Sequence, residues 1–541
     1  MYERLNTNQK RRVDAILDGF DTRQRIGQTF CIQTGKLSPA EVAAIVDEYA
    51  IGGLFYAYRS VEDTTAITSA AHNIGGVPVI ATADLVNGPG SRLENATLFP
   101  WQMAVGAANS EDLAEKMGIA TAREGRAAGV HWTFGPIVDL NLNMLNCMMH
   151  TRAFGADPDH VLRLSKAFIH GVQKEGLMAA TAKHFPGDGT DDRDTHICTL
   201  INDLPEEEWM ESFGRVWQGV IDEGVMCTMS GFIGLPWCDP RDHYAGPMPA
   251  ALSKKIQIDL LRERLGFQGV VISDAIPMIG FAAMAKTHER VPLNIETGTD
   301  MVLWPDPKVD FLHTERALDS GLLTEARLDT AVRNVLALKL QLGILDEKTY
   351  ELPENAKTEH QSWADEIGEK SITVIRNAEQ TLPVQLSPGA SVLTVTVALD
   401  ADTRGYTKDL SVVDAELTAR GYEVTHLENP SPDELQAAMA GKEAVFMNLH
   451  IMPRYGSTRF FAGSVAPLWN AVWIDHPRVV FTSFGDPYKI YEMPYVSNYT
   501  NTYSNTPSSQ RAVVKVWLGE MQASGAVPVE CPGFFENSTS V

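Results

Sequence analysis

Short apolar runs alternate with longer amphipathic stretches from about residue 25 to residue 345, and no other feature constrains the fold of this chain as tightly. The runs Thr29–Gln33, Gly53–Tyr58, Val77–Ala83, His131–Val138, Met178–Lys183, Val225–Met229, Gly269–Ser273 and Met301–Leu303 each suit one buried strand. Between them, Ser110–Ala128, Pro158–Glu175, Pro205–Glu223 and Ser253–Leu265 carry apolar residues at helical spacing. Acidic starts such as Pro205-Glu206-Glu207-Glu208 favour a helix N-terminus. Strand followed by helix, repeated over this length, fits a TIM (β/α)8 barrel better than an open doubly wound sheet.

The barrel is expected over residues 1–345. A polar stretch without apolar periodicity begins at Asp346, and a linker is expected over 346–370. A second alternation follows, with strands at Ser391–Val397, Glu423–His426, Ala444–Leu449 and Val479–Ser483 and helices at Asp414–Arg420, Pro432–Ala440 and Gln510–Ala523. A smaller α/β sandwich domain is therefore expected over 371–541.

Polar residues stand at the C-terminal ends of the barrel strands: Asp84, Asp139, Lys183, His184, Ser230, Asp274 and Trp304. In a barrel these ends form one face, where catalytic loops gather. The net charge of −24 argues against nucleic acid or an anionic membrane as partner, because like charges repel. The N-terminal segment leads into the charged run Gln9-Lys10-Arg11-Arg12 with no apolar core of a secretory signal. The six cysteines, at 31, 147, 198, 227, 238 and 531, show no paired spacing. A cytoplasmic protein with reduced thiols and no metal cluster is expected.

The loop Lys183-His184-Phe185-Pro186-Gly187-Asp188-Gly189, followed by Asp194-Thr195-His196, concentrates the chemistry. A carboxylate two residues before a histidine can orient an imidazole, whose ordinary pKa near 6.5 suits proton transfer at neutral pH. The same spacing also builds a plain local turn. Asp188, Asp191, Asp192 and Asp194 cluster here, but without the spacing or closing Glu of a calcium loop. Lys183 and His184 either hydrogen-bond a polyhydroxylated ligand or pair with a barrel carboxylate, and both reach one pocket only if the backbone turns between them. Arg92 and Arg152 suit a fork of bonds to sugar hydroxyls, or a surface ion pair. Asp274, delivered by an apolar strand, suits a rigid nucleophile or a helix N-cap.

Taken in order, these segments resemble glycoside hydrolase family 3. The resemblance rests on Gly129–Asp139, Arg152-Ala153-Phe154-Gly155, Lys183–His196, Gly269–Asp274 and Gly298–Leu303, and continues through Lys370–Thr373 and Phe484–Tyr488. The loop at 183–196 is similar to that of the family's N-acetylglucosaminidase-like branch. The resemblance implies a covalent mechanism with retention, in which Asp274 attacks the anomeric carbon and His196, oriented by Asp194, is the acid/base. It also implies that Asp84, Arg92, Asp139, Arg152, Lys183 and His184 contact the sugar, with no cofactor and no metal. Two departures stand out. The family's Asp-x-Glu-Gly-Gly is Asp84-Leu85-Val86-Asn87-Gly88 here, and the loop's usual second histidine is Asp188. The expected activity is an exo-β-N-acetylglucosaminidase acting on a small carbohydrate. A β-glucosidase, or a phosphorylase taking phosphate as acceptor, is the alternative on the same scaffold. An idle sugar-binding barrel is disfavoured because Asp274, Asp194 and His196 are all present.

Overall fold

A computed structural model describes residues 1–240, 242–243, 246–346, 348–398, 409–451 and 466–535. Its first unit comprises Met1–Leu98, Ala114–Leu140 and Ser165–His360. Eight parallel strands form its centre: β1 Phe30–Gln33, β2 Gly53–Tyr56, β3 Ile80–Ala83, β4 Trp132–Thr133, β5 Thr181–Phe185, β6 Cys227–Ser230, β7 Val270–Ala275 and β8 Met301–Leu303. They lie in the order β4-β3-β2-β1-β8-β7-β6-β5. Parallel bridges Trp132↔Ala179 and Ile137↔Lys183 join the two ends, so the sheet is a nearly closed barrel. The strands are almost wholly buried because helices cover their outer face.

Each expected barrel strand is present within a few residues. The fourth is the shortest: pairing stops after Thr133, just before the cis Gly135–Pro136 peptide, and resumes as the isolated bridge at Ile137. The expected helix at 205–223 spans Glu206–Asp222 with a π-turn at Met210–Gly214, and Lys255–Arg264 is wound as a π-helix.

The second unit comprises Phe99–Leu113, Asn141–Leu164 and Gln361–Val541. Its strands are β9 Thr373–Asn377, β10 Ser391–Ala398, β11 Glu423–Glu428, β12 Ala444–His450, β13 Val479–Ser483 and β14 Asn498–Asn501. The sheet order is β9-β14-β13-β12-β10-β11, and only β9 runs antiparallel to its neighbour. Phe446 and Trp517 stack at 4.4 Å in a core with Val392, Val413, Val480 and Val513. This is the smaller α/β layered domain.

Its boundaries differ from a simple cut near 345. The segments 99–113 and 141–164 bond to the rest of this unit: Ala526 N–H donates to Ala107 O at 3.0 Å, and Ala156 N–H to Pro528 O at 2.9 Å. Residues 356–371, all but the last within the expected linker, form a helix. Among the described residues no helix is long and apolar enough to cross a membrane.

Candidate active site

The C-terminal ends of the barrel strands carry two carboxylates, each paired with a basic side chain of β5. Lys183 Nζ, almost fully buried, donates to Asp84 Oδ1 at 2.5 Å, and Arg92 Nη2 reaches Asp84 Oδ2 at 3.4 Å. Asp84 is thus a partly exposed carboxylate held by two cations. His184 faces Asp139 instead, with Nδ1 at 2.8 Å from Oδ2. Both β5 residues therefore pair with barrel carboxylates, as one of the two sequence readings required. The Lys183–His184 and Phe185–Pro186 peptides are cis.

Asp139 has no solvent exposure, and its oxygens accept further bonds from the backbone N–H groups of His184 and Asp188. A buried carboxylate needs such donors to offset desolvation. Here they fix the start of the loop that β5 feeds. In this position Asp139 holds the backbone of the Lys183–Asp188 segment.

The loop then runs to residue 201 under several restraints. Trp209 Nε1 donates to Pro186 O, Asn202 Nδ2 donates to Gly187 O, and Asp191 accepts from Ile201 N–H at 2.8 Å. Asp191 also pairs with Arg193, and its carboxyl lies below the usual range. Burial pushes that carboxyl up, but the bonds from Arg193 and Ile201 outweigh it. The acidic cluster is thereby divided among different partners: Asp188 accepts from Gly189 N–H, Asp191 serves Arg193 and Ile201, and Asp194 serves His196.

Asp194 is buried, and its Oδ1 accepts from both His196 N–H and His196 Nδ1 at 2.8 Å. The imidazole is 31% exposed. Nδ1 is the ring nitrogen that the carboxylate engages. Asp274, at the end of β7, is partly exposed, and Ala275 N–H donates to its Oδ1 at 2.7 Å. The segment after Asp274 meets the histidine loop directly, since Ile279 N–H donates to His196 O at 3.0 Å.

Asp84, Arg92, Asp139, Lys183, His184, Asp194, His196 and Asp274 thus all belong to the barrel unit, on its strand ends and the loops after them. Arg152 belongs to the second unit, on the turn His150–Arg152, where its Nη1 donates to Met148 O at 3.0 Å. Trp304, at the end of β8, sits edge-on to Phe55 at 5.2 Å, and Phe55 stacks on Phe134 at 5.7 Å. Asp191 has no expected role from sequence beyond its cluster, and Thr199 and Gly280 have none; Thr199 Oγ1 donates to Gly280 O, a contact that no residue pattern announces.

The pattern of the Glycosyl hydrolase family 3 N terminal domain matches residues 21–338. A β-N-acetylglucosaminidase/β-glucosidase of Cellulomonas fimi is 30% identical over 528 residues, covering 94% of this chain and 93% of that protein. A β-hexosaminidase of Hydrogenovibrio crunogenus is 28% identical over 308 residues, which is 55% of this chain and 84% of that one. Among solved structures, the β-glucoside phosphorylase BglX bound to 2FGlc superposes with a TM-score of 0.88 at 27% identity, covering 98% of this chain and 99% of its own. A glycoside hydrolase family 3 β-N-acetylglucosaminidase from Paenibacillus sp. str. FPU-7 does so at 0.84 and 25% identity, covering 95% and 99%.

Proposed function

The chain belongs to glycoside hydrolase family 3, and from that premise we propose that it is a retaining exo-β-N-acetylglucosaminidase using Asp274, His196 and Asp194. One observation carries the reading: an imidazole held by a buried carboxylate stands on a loop bonded to the segment that follows a strand-end aspartate. In the first step a carboxylate oxygen of Asp274 attacks the anomeric carbon as the bond to the leaving oxygen breaks. The proton on His196 Nε2 passes to that oxygen, and Asp194 stabilises the imidazolium beforehand. In the second step His196 takes a proton from water, the oxygen of water attacks the anomeric carbon, and the bond to Asp274 breaks. Two inversions give net retention. Asp84, with Lys183 and Arg92 around it, offers charged acceptors and donors to sugar hydroxyls at the same barrel end. Substrates of this kind are small β-linked glycosides met in the cytoplasm.

Asp274→Ala is expected to abolish turnover of both aryl N-acetylglucosaminide and aryl glucoside, and near-normal activity in that variant overturns the nucleophile assignment. A 2-fluoro glycoside should leave a mass adduct on the peptide containing Asp274. Wild-type enzyme is expected to prefer the N-acetylglucosaminide; a strong preference for the glucoside moves the substrate to glucose and leaves the mechanism standing.

A second reading concerns the acceptor. An imidazole, unlike the carboxylate acid/base of most retaining glycosidases, does not repel an anion, and the structural likeness to a β-glucoside phosphorylase covers 98% of the chain. Phosphate would then replace water in the second step and release a sugar phosphate. That reading fails if turnover and product are unchanged across a phosphate titration.

A further inference from the structure

Thr199 and Gly280 are separated by 81 positions, yet Thr199 Oγ1 donates to Gly280 O at 2.6 Å. Thr199 is buried, on the last turn of the histidine loop. Gly280 lies six residues after Asp274, in the short helix Ile279–Ala282. A Cβ at position 280 would stand 2.5 Å from both Thr195 O and Cys198 O, backbone atoms that cannot rotate aside. With the Ile279 N–H bond to His196 O, these contacts bracket His196 on both sides in sequence.

We propose that Thr199 and Gly280 are positioning residues that latch the His196 loop to the segment following Asp274, setting where the acid proton is delivered relative to the nucleophile. The inference rests on the acid/base and nucleophile roles proposed above.

Each half of the latch is tied to its own reacting group by short bonded turns. On the loop side, Asp194 O accepts from Ile197 N–H at 2.9 Å and Cys198 N–H at 3.0 Å, so displacing Thr195–Cys198 displaces the imidazole. On the nucleophile side, Met278 N–H donates to Ala275 O at 3.0 Å and Ile276 N–H to Leu303 O at 3.2 Å. Phe281 is buried and stacks on Phe232 at 4.8 Å, which anchors the short helix from below. No slack segment separates Asp274 from His196 along this route. Proton donation requires hydrogen-bond reach to the leaving oxygen, and a misplacement of about 1 Å can cost about 10²-fold in rate. A glycine at 280 and a hydroxyl at 199 are thus the two side-chain choices on which that reach depends.

The test compares two substrate classes by kcat/KM, which reports glycosylation. A 2,4-dinitrophenyl glycoside departs without a proton, whereas an alkyl glycoside needs one. Thr199→Val is expected to lose about tenfold on the alkyl substrate and less than about threefold on the dinitrophenyl one, whereas Thr199→Ser, which restores the hydroxyl, should stay near wild type. Gly280→Ala should show the same split, about 10²-fold on the alkyl substrate. If that variant does not fold, the Val/Ser pair decides alone. The latch is overturned if Thr199→Val lowers both substrates in parallel, or neither, while His196→Ala still discriminates between them. If His196→Ala itself does not discriminate, the acid/base assignment fails and the latch falls with it.

Discussion

The barrel unit contains two Asp–His pairs whose histidines lie twelve residues apart, one on β5 and one on the loop it feeds, with the same 2.8 Å contact between Nδ1 and a carboxylate oxygen. Their surroundings differ. His184 is 10% exposed, and Asp139 also takes backbone N–H groups that shape the loop. His196 is three times as exposed, while its Asp194 is buried. A carboxylate and an imidazole at hydrogen-bond distance therefore say little about role by themselves. Both carboxylates also accept backbone N–H groups, so what separates a proton carrier from an anchor is whether the imidazole can meet a substrate.

The largest expected effect tests that contrast. His196→Ala should lower kcat/KM for substrates with poor leaving groups by about 10²- to 10⁴-fold and for good leaving groups far less; it also removes a bond to buried Asp194, so a stability loss of about 1 to 2 kcal/mol is expected with it. His184→Ala should lack the leaving-group dependence. It removes a bond to a buried charge, so a loss of about 2 kcal/mol in stability is expected, with activity falling alike for all leaving groups. Thermal or urea unfolding beside a leaving-group series measures both. If His184→Ala shows the leaving-group signature and His196→Ala does not, the roles are exchanged.

The sequence made the barrel readable because its strands are continuous apolar runs with polar ends, and periodicity reports burial. It was less informative where burial is mixed. Strand β9, at one edge, has four of its five residues only partly buried, and β14 is a buried but polar Asn-Tyr-Thr-Asn, so neither shows an apolar run. The division into units was also hidden, because segments 99–113 and 141–164 join the second unit through contacts with residues hundreds of positions away. At the site, residue pattern paired Asp194 with His196 but left the barrel carboxylate that meets His184 unnamed; the structure shows that it is Asp139. Gly280 carried no signal at all, since the reason for a glycine there is a pair of carbonyls from another loop.

A third pair extends the comparison to its fully buried limit. His360 Nδ1 lies 2.7 Å from Glu124 Oε1, and neither side chain is more than 2% exposed. Burial pushes the Glu124 carboxyl up, but the bonds from His360 and from Thr97 Oγ1 and N–H outweigh it and hold the group below its ordinary 4.5. The unfolded chain then binds the proton first as pH falls. Stability from this carboxylate is complete above pH 4.5 and is lost as acid drives titration through the lower folded value. A Glu124→Gln variant should therefore show a shallower fall of Tm in acid than wild type. An equally steep fall would place the acid sensitivity on other carboxylates.

The smallest effect separates charge from shape within that pair. Thr97 Oγ1 donates to Glu124 Oε1 at 2.6 Å, and its N–H donates to Oε2 at 2.9 Å. Thr97→Val keeps the side-chain volume and the backbone bond while deleting the hydroxyl, so a loss of about 1 to 2 kcal/mol at neutral pH is expected. Made in the Glu124→Gln background, the same change should cost less, because the acceptor no longer carries a charge. Equal losses in both backgrounds would mean that the charge on Glu124 adds nothing to the bond. A buried carboxylate would then act here as a neutral acceptor, and the comparison among the three pairs would reduce to exposure alone.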